Sequence, residues 1–156
     1  MNKTQQQTET LAPIVKSVVV SLHVEGAFRL FTAGISQWWP LVSHSVGGEE
    51  AISCTIEGKV GGRVYETLKD QSKSEWGKVL VWEPPYRMVF TFYPGRTPSD
   101  STEVEIVFQA QESSTRLTLT HRGWEHCGTS VQAERPGYVR GWEFVLGKYV
   151  QASSSG

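Results

Sequence analysis

The stretch PGYVRGWEFVLGKYV at residues 136–150 decides the fold. Tyr138, Val139, Trp142, Val145, Leu146, Tyr149 and Val150 recur at the 3.6-residue period, drawing one apolar stripe along a C-terminal helix. Pro136 disfavours helical geometry at Arg135 and is tolerated in a first turn, so the main helix is expected to start there. Gly141 inside it costs about 1 kcal/mol relative to Ala, which a close backbone approach would explain. Upstream, Thr129 and Gln132 have the spacing of a capping box.

A stripe of that width needs a surface to cover it, and the preceding chain reads as strands. TEVEIVFQ (102–109) and TRLTLTH (115–121) alternate polar with apolar residues, as antiparallel strands with one wet face do. Further strands are expected at 51–60, 63–68, 75–82 and 86–93, with Pro84-Pro85 ending the third of these. IVKSVVVSLHV (14–24) is a half-buried strand by its β-branched alternation. In EGAFRLFTAGISQWWP, the spacing of Ala27, Phe28, Leu30 and Phe31 predicts a helix over 25–34, followed by a turn carrying Trp38 and Trp39. The order strand, helix, six strands, long helix implies an α+β fold, a curved antiparallel sheet wrapped on the last helix. One domain over 13–151 is expected, with flexible tails at 1–12 and 152–156.

Composition narrows the function classes. With 15 basic and 16 acidic residues the net charge is -1, which speaks against nucleic acid and against a polybasic membrane surface. No apolar run approaches the roughly 20 residues of a membrane helix, and MNKTQQQTET has no signal-peptide core, so a cytoplasmic chain is expected. Cys54 and Cys127 have no metal-ligand spacing and read as free thiols. No GxSxG, HExxH, P-loop or GxGxxG occurs, so neither a metal nor a cofactor nor a catalytic residue is expected. Glu103 and Glu105 look paired, but alternation puts both on the wet face opposite Val104 and Ile106.

The stretches AFRLFTAGISQWWP, GGRVYE, WGKVLVWEPPYRMVFTF, TEVEIVF, TRLTLTHRGWE and the GW-x3-L at Gly141, Trp142 and Leu146 together resemble the heat shock protein 90 ATPase activator homologue family. That family belongs to the START-like, helix-grip (SRPBCC) superfamily, and the resemblance covers roughly residues 14–150. It implies an apolar pocket between sheet and helix. The superfamily hosts lipid carriers, receptors, cyclases and co-chaperone domains, so fold alone does not choose among them. The eukaryotic co-chaperone also carries a separate N-terminal domain, for which 156 residues leave no room, and ATPase activation is not expected to carry over.

Pocket candidates are Trp39, which with Trp38 anchors the loop after the first helix, and, from the inward parity of the strands and the helix stripe, Glu66, Phe90, Phe92, Ile106, Phe108, Leu119, His121, Trp142, Leu146 and Tyr149. Each is also a candidate for plain core. Glu66 shares parity with Val64 and Leu68; a buried carboxylate needs a partner, and Arg63, Arg122 and Arg140 are available in composition. His121 shares parity with Leu117 and Leu119 and reads as a ligand contact or a hydrogen-bonded core histidine. His44, in the loop after Trp39, reads as a solvated residue or a guard at an entrance. Trp124 is expected to bridge the last strand to the helix. Three functions stand open: a module that binds a hydrophobic small molecule, a protein-interaction module with a chaperone as partner, and a cyclase or hydrolase-type enzyme using His121 or Glu66.

Overall fold

The computed structural model describes residues 11–155. Seven antiparallel strands form one sheet: β1 (Ile14–Val20), β2 (Ala51–Ile56), β3 (Arg63–Leu68), β4 (Lys73–Glu83), β5 (Arg87–Phe92), β6 (Thr102–Ala110) and β7 (Thr115–Arg122). Their order is β1-β7-β6-β5-β4-β3-β2, so β1 crosses the whole sheet to pair with β7, while every later pair is sequential. The α-helices are α1 (Val24–Phe31), α2 (Ile35–Trp38), α3 (Thr129–Gln132) and α4 (Arg135–Ser155). The sheet curls around α4, whose Trp142, Val145, Leu146 and Tyr149 are all buried.

The long β4 bends the sheet. Its pairing skips Trp76 opposite β3 and Leu80 opposite β5, two bulges in one strand. Between them Gly77 lies so close to β5 that an added Cβ would fall 1.6 Å from the Thr91 carbonyl oxygen. Only glycine fits that approach.

Inward faces follow alternation where the ladder is regular. In β6 Val104, Ile106 and Phe108 are buried, and in β7 Thr115, Leu117, Leu119 and His121 are. Outside, Arg87 and Arg122 each reach Glu105, and Arg122 also reaches Glu103, so these carboxylates knit the wet face of neighbouring strands. Burial offsets the salt bridges' gain least when the pair stays near water.

Several boundaries differ from the sequence reading. The first strand stops at Val20 rather than running to residue 24, because Leu22 turns inward and its carbonyl accepts from Thr115 Oγ1 at 2.8 Å. The helix expected over 25–34 ends at Phe31, where Thr32 bonds back to the Phe28 carbonyl, and a separate turn of helix carries Trp38. The strand expected over 51–60 ends at Ile56. No capping box forms: Thr129 opens a one-turn helix without a side-chain cap, and Gln132 donates to the Cys127 carbonyl instead. The last helix continues to Ser155, through residues expected as a tail; Ser153 is buried and donates to the Val150 carbonyl. Of the N-terminal tail expected over 1–12, residues 1–10 lie outside the described residues. Leu11 packs on the core and the Ala12 carbonyl accepts from Arg135.

Candidate functional site

Two ends of the concave face are filled differently. Under α1 and α2 the space is solid: Phe108 meets Phe28 and Phe31 at ring separations of 5.2 and 6.0 Å, and Tyr149 meets Phe31 and Trp38 at 5.3 and 5.1 Å. The Tyr149 hydroxyl donates to the Ala27 carbonyl, fixing α4 to α1. At the other end a cavity of about 370 Å³ remains, within the roughly 300–1,000 Å³ of small-molecule sites. Trp39, Trp76, Phe92, Tyr138 and Trp142 form its walls, with Val145 and Gly141 from α4. His44, Ser45 and Val46 from the loop after α2, and Pro94 and Gly95 after β5, complete the lining.

The walls are held by their own polar atoms. Trp39 Nε1 donates to the His44 carbonyl at 2.7 Å, which folds the loop back over its indole. Trp76 Nε1 donates to Glu66 at 2.5 Å. Glu66 is fully buried and also accepts the backbone N–H groups of Val46 and Gly47, at 2.8 and 2.7 Å. Its partners are thus three N–H groups rather than an arginine. Arg63 pairs with Glu57, and Arg122 sits on the outer face with Glu103 and Glu105. The carboxylate joins loop to wall.

Trp142 Nε1 donates to His121 Nδ1 at 2.9 Å. Indole N–H is a donor only, so Nδ1 is the accepting nitrogen and the imidazole proton sits on Nε2. Nε2 lies 2.7 Å from Thr102 Oγ1, which in turn donates to the Phe92 carbonyl at 3.1 Å. Both ends of the row demand the same tautomer. His121 is wholly buried, and desolvation, helped by the Arg96 and Arg135 charges, brings its pKa down to about 3. It is a core histidine with both nitrogens used, behind the cavity wall rather than in it. Trp124 packs on its ring at 4.4 Å and on Tyr138 at 5.6 Å, and so joins β7 to α4.

His44 is different. Its Nδ1 is 2.7 Å from Ser43 Oγ, and its ring stacks on Phe144 of α4 at 4.9 Å. Partial burial lowers its pKa from the usual histidine value. Gly141 leaves it space: a Cβ there would touch only His44, at 3.8 Å, so the close backbone approach expected at this glycine is not present.

Of the residues nominated from sequence, Trp39, Phe92 and Trp142 line the cavity. Glu66 and His121 stand behind it, holding Trp76 and Trp142. Phe90, Ile106, Phe108, Leu119, Leu146 and Tyr149 are buried in the core away from the lining, Phe108 and Tyr149 because rings of α1 and α2 pack directly on theirs. Alternation missed Trp76, whose inward aim depends on the β4 bulge. Val145, which the inward side of the helix stripe nominates, does line the cavity, whereas Tyr138 was visible in the stripe but not distinguished within it. Among the described residues, no group of three or more His, Cys, Asp or Glu is placed to hold a metal, and no helix is long and apolar enough to cross a membrane.

The sequence profile of a family described as Activator of Hsp90 ATPase homolog 1-like protein matches residues 21–151. The chain belongs to this family. Solved structures of similar fold include an anthrahydroquino-γ-pyrone synthase, Txn09, complexed with a ligand designated SUM. It is 34% identical with a TM-score of 0.57, the match covering 77% of this chain and 82% of that one. The Aha1 dimer from Colwellia psychrerythraea is 16% identical with a TM-score of 0.65, covering 90% of this chain and 95% of that one. CalC, a self-sacrificing resistance protein from Micromonospora echinospora, is 22% identical with a TM-score of 0.64, covering 94% and 96%. At those last two identities the likeness concerns the helix-grip fold alone. No curated protein matches the chain. What this member of the activator-homologue family has at one end of its concave face is an aromatic cavity, its walls held by a buried carboxylate and a buried imidazole.

Proposed function

We propose that this chain binds a hydrophobic small molecule in the cavity between α4, the β4–β5 end of the sheet and the loop after α2. The observation that supports it most is the cavity itself: about 370 Å³ walled by three indoles, a phenyl and a phenol ring. Burying apolar ligand surface there contributes roughly 25 cal/mol per Å² before the costs of association are subtracted. The test is native mass spectrometry and organic extraction of the purified protein, together with thermal shifts against a set of apolar aromatics. A retained mass or a raised midpoint is expected. A clean mass, with nothing extracted and no shift across the set, refutes the reading.

A second reading, ring closure within the same cavity, is supported by the 34% identity to a γ-pyrone synthase. His44 is the one titratable base in the lining, so it is the candidate for moving a proton. Mass spectrometry of an open-chain aryl precursor incubated with the protein tests this; precursor recovered unchanged refutes it. Contact with a chaperone is supported by the family description alone, and pull-down of a chaperone from lysate tests it, an empty pull-down counting against it.

A further inference from the structure

Most polar side chains around the cavity are engaged by the protein itself. All three indole N–H groups are spent on the protein, Trp39 on the His44 carbonyl, Trp76 on Glu66 and Trp142 on His121. The Ser45 hydroxyl donates to the Leu41 carbonyl and accepts from the Gly48 N–H. The Tyr138 hydroxyl lies near the Arg96 guanidinium, whose charge opposes the upward push of burial on its pKa. What the walls offer a ligand is therefore ring faces and edges, in planes tilted by 45° (Trp39 to Trp76) and 84° (Trp39 to Trp142). Such walls favour a flat aromatic guest, because edge-to-face and offset contacts add to what area burial alone supplies.

Among the ring nitrogens of the lining, one is left without a partner. His44 Nδ1 is committed to Ser43, and its Nε2 has no hydrogen-bond partner among the described residues while the ring lines the cavity. Nε2 lies on the side of Gly141, 3.9 Å from where a Cβ would stand. No Lys or Arg belongs to the lining, so nothing there compensates the desolvation of a carboxylate or phosphate. A neutral imidazole suits a neutral, weakly acidic hydroxyl. If the Ser43 hydroxyl donates to Nδ1, Nε2 carries the proton and is a donor; in the other tautomer Nε2 accepts. A phenolic oxygen satisfies either arrangement.

We propose that the cavity takes a flat polycyclic phenol, its rings against Trp39, Trp76 and Trp142 and its hydroxyl hydrogen-bonded to Nε2 of His44. This rests on the small-molecule reading above and adds the class of ligand and its orientation. The experiment compares 2-hydroxyanthraquinone with 2-methoxyanthraquinone and unsubstituted anthraquinone, by calorimetry and by the visible band of the hydroxy compound. The unmodified protein is expected to bind the phenol about five- to ten-fold tighter than either analogue, the span of one good hydrogen bond. Its absorption band should shift to the red on binding. In His44→Phe, which keeps the ring stacked on Phe144, the preference should shrink to within about two-fold and the band shift should vanish. Equal binding of all three compounds by the unmodified protein overturns this inference and leaves the cavity reading standing. So does a preference that survives in His44→Phe. Failure of all three to bind overturns this inference, while the small-molecule reading falls only on the extraction and thermal-shift outcome given above.

Discussion

Replacing Glu66 by glutamine preserves the shape of the side chain while turning one acceptor into a donor. The carboxylate meets only N–H groups: Val46 N and Trp76 Nε1 on one oxygen, Gly47 N on the other. In Glu66→Gln the amide oxygen would still serve the first pair. The new NH2 would then face the Gly47 N–H across 2.7 Å, donor against donor. Hydrogen bonds to a charged group contribute about 1.5–3 kcal/mol each, and an orphaned buried donor costs about 1–3 kcal/mol. One bond lost outright and two weakened amounts to about 2–4 kcal/mol, or a fall in midpoint of roughly 5–15 °C for a chain of this size. Urea denaturation gives the free energy, and amide exchange at Val46 and Gly47 reports whether the loop has come loose. A loss under about 1 kcal/mol with unchanged protection at both amides would falsify the claim that this carboxylate fastens the loop to the wall.

Acid should weaken the fold through His121. In the unfolded chain its pKa is near 6.5, against about 3 in the fold, so the unfolded state binds more protons between those values. Stability is therefore full above pH 6.5 and falls as pH drops towards 3, by roughly 4–5 kcal/mol in all. His121→Gln can still accept from Trp142 and donate to Thr102, and should flatten that limb of a urea-midpoint series from about pH 7 to 4; an unchanged slope contradicts the assignment. Gly141→Ala should stabilise the empty protein by up to about 1 kcal/mol, because an added Cβ meets only His44 at 3.8 Å and helix propensity improves. Gly141→Leu should close the cavity while leaving the fold intact, so retained ligand binding in that variant argues against the site. Gly77→Ala drives a Cβ to 1.6 Å from the Thr91 carbonyl oxygen and is expected to cost about 3 kcal/mol or more. Thermal denaturation within about 1 °C of the parent would mean that β4 and β5 are not so closely apposed.

Much of this architecture could be read from local pattern. β3, β6 and β7 fall within a residue of their expected limits, and inward parity placed Glu66 and His121 in the interior, where both are fully buried. Alternation works there because none of these three strands itself carries the extra residue of a bulge. It fails on β4, where Trp76, Val79 and Trp82 all turn to the core at every third position. Two bulges reset the pleat, and no composition rule marks a bulged residue in advance. The partners of Glu66 were equally hidden. Two of the three are backbone N–H groups about twenty residues upstream, and backbone donors leave no trace in a list of side chains. The division of the concave face into solid core and cavity depends on where α1 and α2 end, which tertiary packing decides.

The row from Trp142 through His121 and Thr102 to the Phe92 carbonyl takes one group each from α4, β7, β6 and β5. Because each member is both tethered and tethering, none can leave without stranding its neighbour in a dry interior. Helix and central strands should accordingly melt as one cooperative block, while the loop that roofs the cavity hangs from a separate anchor and is free to open first. The molecule would thereby divide into a stiff grip and a separately anchored cover, so that fraying of the cover need not loosen the grip.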